Sequence, residues 1–281
     1  MVPRHSRKQI VPGFGVTLSV TLFYVSIMLL LPLAALLARA SELSFAQIVP
    51  IVTSERVLAA CKLSLGAAAL AAGVNAILGT VLAWVLTRYD FIGRRWLDAL
   101  IDLPMALPTA VAGIALSALY GDRGWIGAWT SHFGISIAYT RLGIFVALLY
   151  VGLPFLVRTL QPVLAEAERT QEEAALTLGA SPWQNFRYVV LPQIMPAILT
   201  GAAMAFARGV GEYGSVIFIA GNIPKVSEIA PLLIVTKLEQ YDYAAATVIA
   251  VFLLSLSLVL LLIMQKLQMQ SQRYRLKEVQ P

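Results

Sequence analysis

Charged residues along this chain are gathered into short stretches separated by long runs that carry none. Uncharged runs cover Gln9–Ala38, Leu63–Thr87, Leu103–Gly121, Tyr188–Ala207 and Tyr243–Gln265. Each approaches or exceeds the roughly 20 residues that a helix needs to cross a hydrocarbon core about 30 Å thick. A sixth apolar stretch, 142–161, holds only Arg158, near enough to one end for a long cation to snorkel to the headgroups. The pattern predicts an all-α integral membrane protein with six spans: 14–38, 59–87, 99–120, 141–161, 193–220 and 243–266. The second span is rich in small residues, among them Gly66, Ala68, Ala72, Gly73, Ala76 and Gly79. Small residues let helix backbones approach closely where lipid gives no hydrophobic drive, so this span is expected inside the bundle. Between the last two spans, Ser227–Gln240, with Pro231 in its first turn, reads as an interfacial helix.

Composition agrees with this picture and removes one class of function. Hydrophobic residues make up 59% of the chain and charged ones 13%, against about a quarter charged in soluble domains. The net charge of +6 follows the loops and forms no nucleic-acid patch. With both termini in the cytoplasm, inner segments hold thirteen Lys and Arg and outer segments seven, the bias that keeps positive loops inside. Arg208 is left within a span. The first uncharged run is 30 residues long, well beyond the 7–15 of a secretory h-region, so a retained anchor is expected. The lone Cys61 excludes an internal disulfide. His5 and His132 are far apart and suggest no metal site.

The inner loop at 162–192 is the most informative segment. Thr170 and Glu173 have capping-box spacing, and carboxylates at Glu172 and Glu173 suit a helix N-terminus. Gly179 suits a left-handed helix end. Ser181-Pro182-Trp183-Gln184 starts a second capped helix with proline in its first turn, and Leu191-Pro192 re-enters the membrane. Between the caps, Ala174, Ala175 and Leu178 offer a small apolar face of the kind that sits in a groove of another protein. A solvated loop helix without a partner is the other physical reading.

The spacing Glu173-Ala174-Ala175, Gly179, Val189, Leu191-Pro192 resembles the "EAA" coupling loop of the permease subunits of bacterial ABC importers, with Val189 where that family carries isoleucine. Leu86–Phe91, Asp102–Gly113, Gly211–Gly214 and Ile219–Pro224 are similar to segments of the sulfate/thiosulfate permeases, T type, over about 11–268. The molybdate permeases share weaker versions. The resemblance implies a six-helix type I importer bundle (MetI-like), with a 59–267 core preceded by a tail at 1–13 and a first span with its outer segment at 14–58, and followed by a tail at 268–281. It further implies ATPase-coupling contacts at Glu172, Glu173, Ala174, Ala175, Leu178 and Gly179. The implied partners are a sister permease in a heterodimer, two ATP-binding subunits and a periplasmic sulfate/thiosulfate-binding protein, all at the inner membrane. A molybdate or tungstate permease of the same superfamily is the alternative.

An anion path is expected to offer amides, hydroxyls or a cation. Pro104 and Pro108 interrupt the third span, and half-helix N-termini at such breaks can face an anion; Thr109 lies beside them. They serve either as a hinge or pore lining, or as a packing kink. Arg208 and Glu212 share one helix face, and intramembrane charges are functional candidates. Either Arg208 meets the anion, or the two neutralise each other as a structural bridge. No Gly-x4-Gly-Lys-Ser/Thr loop is present, so ATP hydrolysis belongs to a partner and the chain is not expected to be an enzyme or to need a cofactor. An ion-driven secondary transporter predicts more titratable residues within the spans and paired repeats; only Glu212 qualifies.

Overall fold

The computed structural model describes residues 13–167 and 169–278. The N-terminal basic residues and His5 lie outside them. Twelve helices run in this order among the described residues. α1 is Phe14–Ser41, α2 Phe45–Val52, α3 Glu55–Arg88, α4 Arg94–Ala106, α5 Thr109–Tyr120 and α6 Trp125–Ser131. α7 is Arg141–Glu166, α8 Arg169–Thr177, α9 Pro182–Val210, α10 Val216–Ile219, α11 Ala230–Glu239 and α12 Tyr243–Glu278. Five helices are long and apolar enough to span, and α4 with α5 makes a sixth crossing if that bent pair counts as one.

α3, α7 and α9 form the centre. Most buried positions of α3 are small (Ala60, Ser64, Ala68, Ala71, Ala72, Gly79, Ala83), with Val57 and Leu86 as larger apolar exceptions, whereas Leu58, Leu70, Ile77 and Val81 face outward. This inside-out sorting suits lipid, where close backbone approach rather than apolar burial drives association. Leu156 of α7, fully buried, wedges between Gly79 of α3 and Gly201 of α9. A Cβ on Gly79 would lie 2.5 Å from its Cδ2, and one on Gly201 2.8 Å from its Cδ1. Polar groups inside the centre find partners on their own or neighbouring helices, though not for every atom. Ser64 Oγ donates to the Ala60 carbonyl (2.9 Å) and accepts the Ala230 amide (2.7 Å), and Asn75 Nδ2 donates to the Leu149 carbonyl (3.0 Å), while the buried Asn75 Oδ1 has no hydrogen-bond partner among the described residues.

α1 has no buried residue and reaches the bundle chiefly through its 31–41 half, against α12. A helix apolar on every face and exposed on every face belongs in lipid or against another subunit. Both α1 and α9 contain a five-residue π stretch, Ser26–Leu30 and Phe186–Val190, each just before a proline at 32 or 192. Proline lacks the N–H owed to the carbonyl four residues back and its ring crowds that carbonyl, and widening the preceding turn relieves both.

Three expectations need correction. The fifth span is not 193–220: α9 begins at Pro182 and ends at Val210, and a turn with the short α10 follows. The helix expected at the interface, α11, is packed into the bundle, with Ala230 and Leu233 wholly buried. Arg158 does not snorkel. It clamps α7 to α4, with Nε to Asp102 Oδ1 (2.7 Å), Nη2 to Asp102 Oδ2 (2.6 Å) and Nη1 to Asp98 Oδ1 (2.7 Å). The stretch from 268 to Glu278 continues α12.

Asp242 caps α12. Its Oδ1 accepts the Ala245 amide (3.1 Å) and its Oδ2 accepts from Lys237 Nζ (3.0 Å). The Lys237 ammonium, then the Ala245 amide, hold this carboxyl below its ordinary value near 3.8. A carboxyl with a lowered folded value stabilises fully above the ordinary value, and that stabilisation is lost as pH falls through the lowered one. Asp242→Ala is expected to cost about 1 kcal/mol at neutral pH, and the deficit in melting temperature is expected to vanish in acid.

Candidate functional site

The loop expected at 162–192 is shorter than its sequence suggests. α7 runs on to Glu166, and the second capped helix does not end but continues as α9. α8 is thus the single free-standing helix of the loop. The Thr170–Glu173 capping box is not formed, because α8 already begins at Arg169 and Thr170 lies within its first turn. The other caps are as expected. Gly179 has φ +89°, its amide bonds the Leu176 carbonyl (3.0 Å), and the Ala180 amide bonds the Ala175 carbonyl (3.0 Å), a Schellman end. Ser181 Oγ accepts the Gln184 amide (3.3 Å) while Gln184 Oε1 accepts the Ser181 amide (2.8 Å).

α8 has an anchored side and a presented side. Glu172 turns inward and accepts from Arg88 Nη2 at 2.5 Å, with the two side chains only 17% and 10% exposed. Arg88 also lies over the Trp84 ring at 5.4 Å, and Trp84 meets Phe186 edge-on at 5.7 Å. Gln171 Oε1 accepts from Gln193 Nε2 (2.7 Å). These contacts fix α8 to the ends of α3 and α9. Outward, Glu173 makes no ion pair among the described residues, and Leu178 is 89% exposed. Ala174, Ala175 and Leu178 line a shallow groove of about 920 Å³ with Tyr188 and Val189. A second, of about 420 Å³, adds Gly179, Gln184 and Asn185. Ala174, Ala175, Leu178 and Gly179 therefore line grooves against α9, Glu173 is exposed and lines neither groove, and Glu172 is turned inward to Arg88. Arg88 was missed by sequence reasoning: it counted only as a basic loop residue, and its partner is 84 positions away.

The path candidates converge more tightly than sequence spacing implies. Between Pro104 and Thr109 the chain breaks by 114°. Pro104 leaves α4 without its bond to residue 100, and Pro108 stands immediately ahead of α5 in an extended conformation that no helix continues through. α5 then packs on the turn after α9: a Cβ on Gly214 would come within 2.1 Å of Thr109 Oγ1, and Ser117 Oγ donates to the Phe218 carbonyl (2.6 Å). In that turn Glu212 is 1% exposed. One oxygen, Oε1, accepts the Ser215 amide and hydroxyl at 2.8 Å each; the other, Oε2, meets Arg208 Nη1 at 2.5 Å. Arg208 keeps 32% of its side chain exposed. Among the described residues no group of three His, Cys, Asp or Glu side chains is placed to hold a metal ion.

A sequence profile described as "Binding-protein-dependent transport system inner membrane component" matches residues 75–274. The chain belongs to that family, the membrane permeases of ABC importers, which perform no catalysis themselves. Within it, the chain is 47% identical to the sulfate transport system permease protein CysT of Escherichia coli over 249 residues, covering 89% of this chain and 90% of that one. It is 50% identical to the protein of the same name from Synechocystis over 235 residues, covering 84% and 82%. A bacterial ABC transporter involved in import of the acidic polysaccharide alginate shares the fold, with TM-score 0.76 over 92% of this chain and 95% of that one at 17% identity.

Proposed function

We propose that this chain is a sulfate-translocating permease subunit of an ABC importer in the inner membrane, with both termini cytoplasmic and thiosulfate as a second substrate. Its near-half identity to sulfate permeases over nine-tenths of the chain supports the substrate. The assembly we infer pairs it with a sister permease, two ATP-binding subunits and a periplasmic sulfate/thiosulfate-binding protein, and its working core is the five-helix segment 59–267.

The observation that carries the mechanism is the two-sided α8. Arg88, Glu172 and Gln193 tie it to two central helices, while Glu173 and Leu178 stay exposed and Ala174, Ala175 and Leu178 line an open groove beside α9. A push on that face is delivered to α3 and α9 as rigid bodies, the kind of motion that switches a bundle between inward- and outward-open states. Pro104, Pro108 and Thr109, set against the Arg208–Glu212 turn, form the hinge along the path.

Glu173→Lys is expected to leave this subunit folded and to abolish co-purification with the ATPase together with ATP-driven sulfate uptake. Gly179→Val forces a β-branched residue into left-handed φ, at a cost of roughly 1–3 kcal/mol, and is expected to act in the same direction. Unaltered assembly and uptake in both would sink the coupling role. Labelled sulfate uptake competed by thiosulfate but not by molybdate is the expected selectivity.

A further inference from the structure

At one end of the α3–α7 surface, three cations stand over an apolar trough of about 510 Å³. Lys62, Arg141 and Lys225 line its mouth, and Gly66, Leu70 and Phe145 its walls. The α3 residues that line it run from Ala59 to Leu70 along one helix face. At 1.5 Å per residue that is a length of about 16 Å, close to one leaflet of a bilayer core. The floor is open: a Cβ on Gly66 meets nothing within 4 Å.

The charges at the mouth are only partly answered. Lys225 pairs with Glu55. Arg141 spends its Nε on the Val226 carbonyl (2.6 Å), leaving its terminal nitrogens without a partner among the described residues, and Lys62 has no ion pair there. Two uncompensated positive charges therefore sit above a leaflet-long apolar channel.

We propose that this trough binds an anionic glycerophospholipid, its phosphate between Lys62 and Arg141 and one acyl chain lying along Gly66 and Leu70 against Phe145. A free inorganic anion would use the mouth and none of the apolar wall. Only an amphiphile with a negative head and a chain of leaflet length satisfies both. That the leaflet is the outer one rests on the topology proposed above; the site itself does not.

The test uses the intact complex in nanodiscs of an equal mixture of dioleoyl-phosphatidylglycerol and dioleoyl-phosphatidylcholine, with retained lipids counted by native mass spectrometry. Retained phosphatidylglycerol is expected to exceed phosphatidylcholine by about thirtyfold, the scale set by two basic side chains at an anionic headgroup. The excess is expected to fall about fivefold in Lys62→Gln, an exposed change that leaves Arg141 in place, and to fall as well in Gly66→Leu, whose Cβ meets nothing within 4 Å and whose side chain would occupy the trough. An equal ratio in the native complex, or an excess that neither variant lowers, overturns the proposal. So does a crosslink from Gly66→Cys to another subunit, since the trough would then be a protein interface.

Discussion

Glu212→Ala is expected to be the most damaging single change in this protein, costing about 3–5 kcal/mol through one buried carboxylate. The residue is 1% exposed and serves three donors: the Ser215 amide, the Ser215 hydroxyl and the Arg208 guanidinium. Alanine strands the buried Ser215 amide and hydroxyl without an acceptor and leaves the partly exposed Arg208 guanidinium without its partner, and an unanswered buried amide is expensive. Thermal melting of the purified subunit in detergent is the measurement, with a fall on the order of 10 °C expected. Glu212→Gln keeps an acceptor for Ser215 and is expected to lose less. The double variant Arg208→Met with Glu212→Gln removes both charges and is expected to melt near the native temperature, because deleting a buried pair costs far less than halving it. It is also expected to retain sulfate uptake, as a bridge that holds the turn requires. A folded double variant without uptake would instead assign Arg208 to the anion.

The second large effect is expected at Gly113→Ala. The added Cβ would lie 2.4 Å from the Ser215 carbonyl oxygen and 2.8 Å from Ser215 Cα, both backbone atoms of the buried turn. Backbone cannot rotate aside as a side chain can, so α5 must lift from the turn, straining the bond from Ser117 to the Phe218 carbonyl (2.6 Å). Overpacking of this kind costs about 3 kcal/mol, and here it also displaces the half-helix that begins at Thr109. Loss of both melting temperature and uptake is expected. Gly73→Ala is the control: nothing lies within 4 Å of its added Cβ in this chain. Within α3 it is expected to stabilise the isolated subunit by about 0.5–1 kcal/mol. Equal effects of the two alanines would show that close approach at Gly113 is not what holds α5 in place.

The spans were legible because lipid imposes a one-dimensional rule: a helix must be apolar over its crossing, and charge marks where crossing stops. The small-residue face of α3 was legible for the same reason, since what packs in lipid differs in size from what faces it. Local chemistry was readable at Gly179 and at Ser181–Gln184, where a cap involves residues three to five apart. Thr170 shows the limit of that reading. The sequence offers a cap there, but Thr170 is already helical, and the residues after it are drawn inward by Arg88 and Gln193 on other helices.

By itself, then, the sequence determined that this is a helical membrane protein and where most of its apolar spans lie. Each of those follows from short-range order or from the solvent. The tertiary structure alone decided which charges meet. Arg158 found Asp98 and Asp102, Arg88 found Glu172, and Arg56 found Glu228 at 2.6 Å, each pair between 56 and 172 residues apart along the chain. It also decided that the proline break folds α5 back onto the Glu212 turn, as a 114° bend rather than a kink. Pairing over such distances depends on which helices are neighbours, and that is set by side-chain size and shape across the whole bundle, which no local pattern carries.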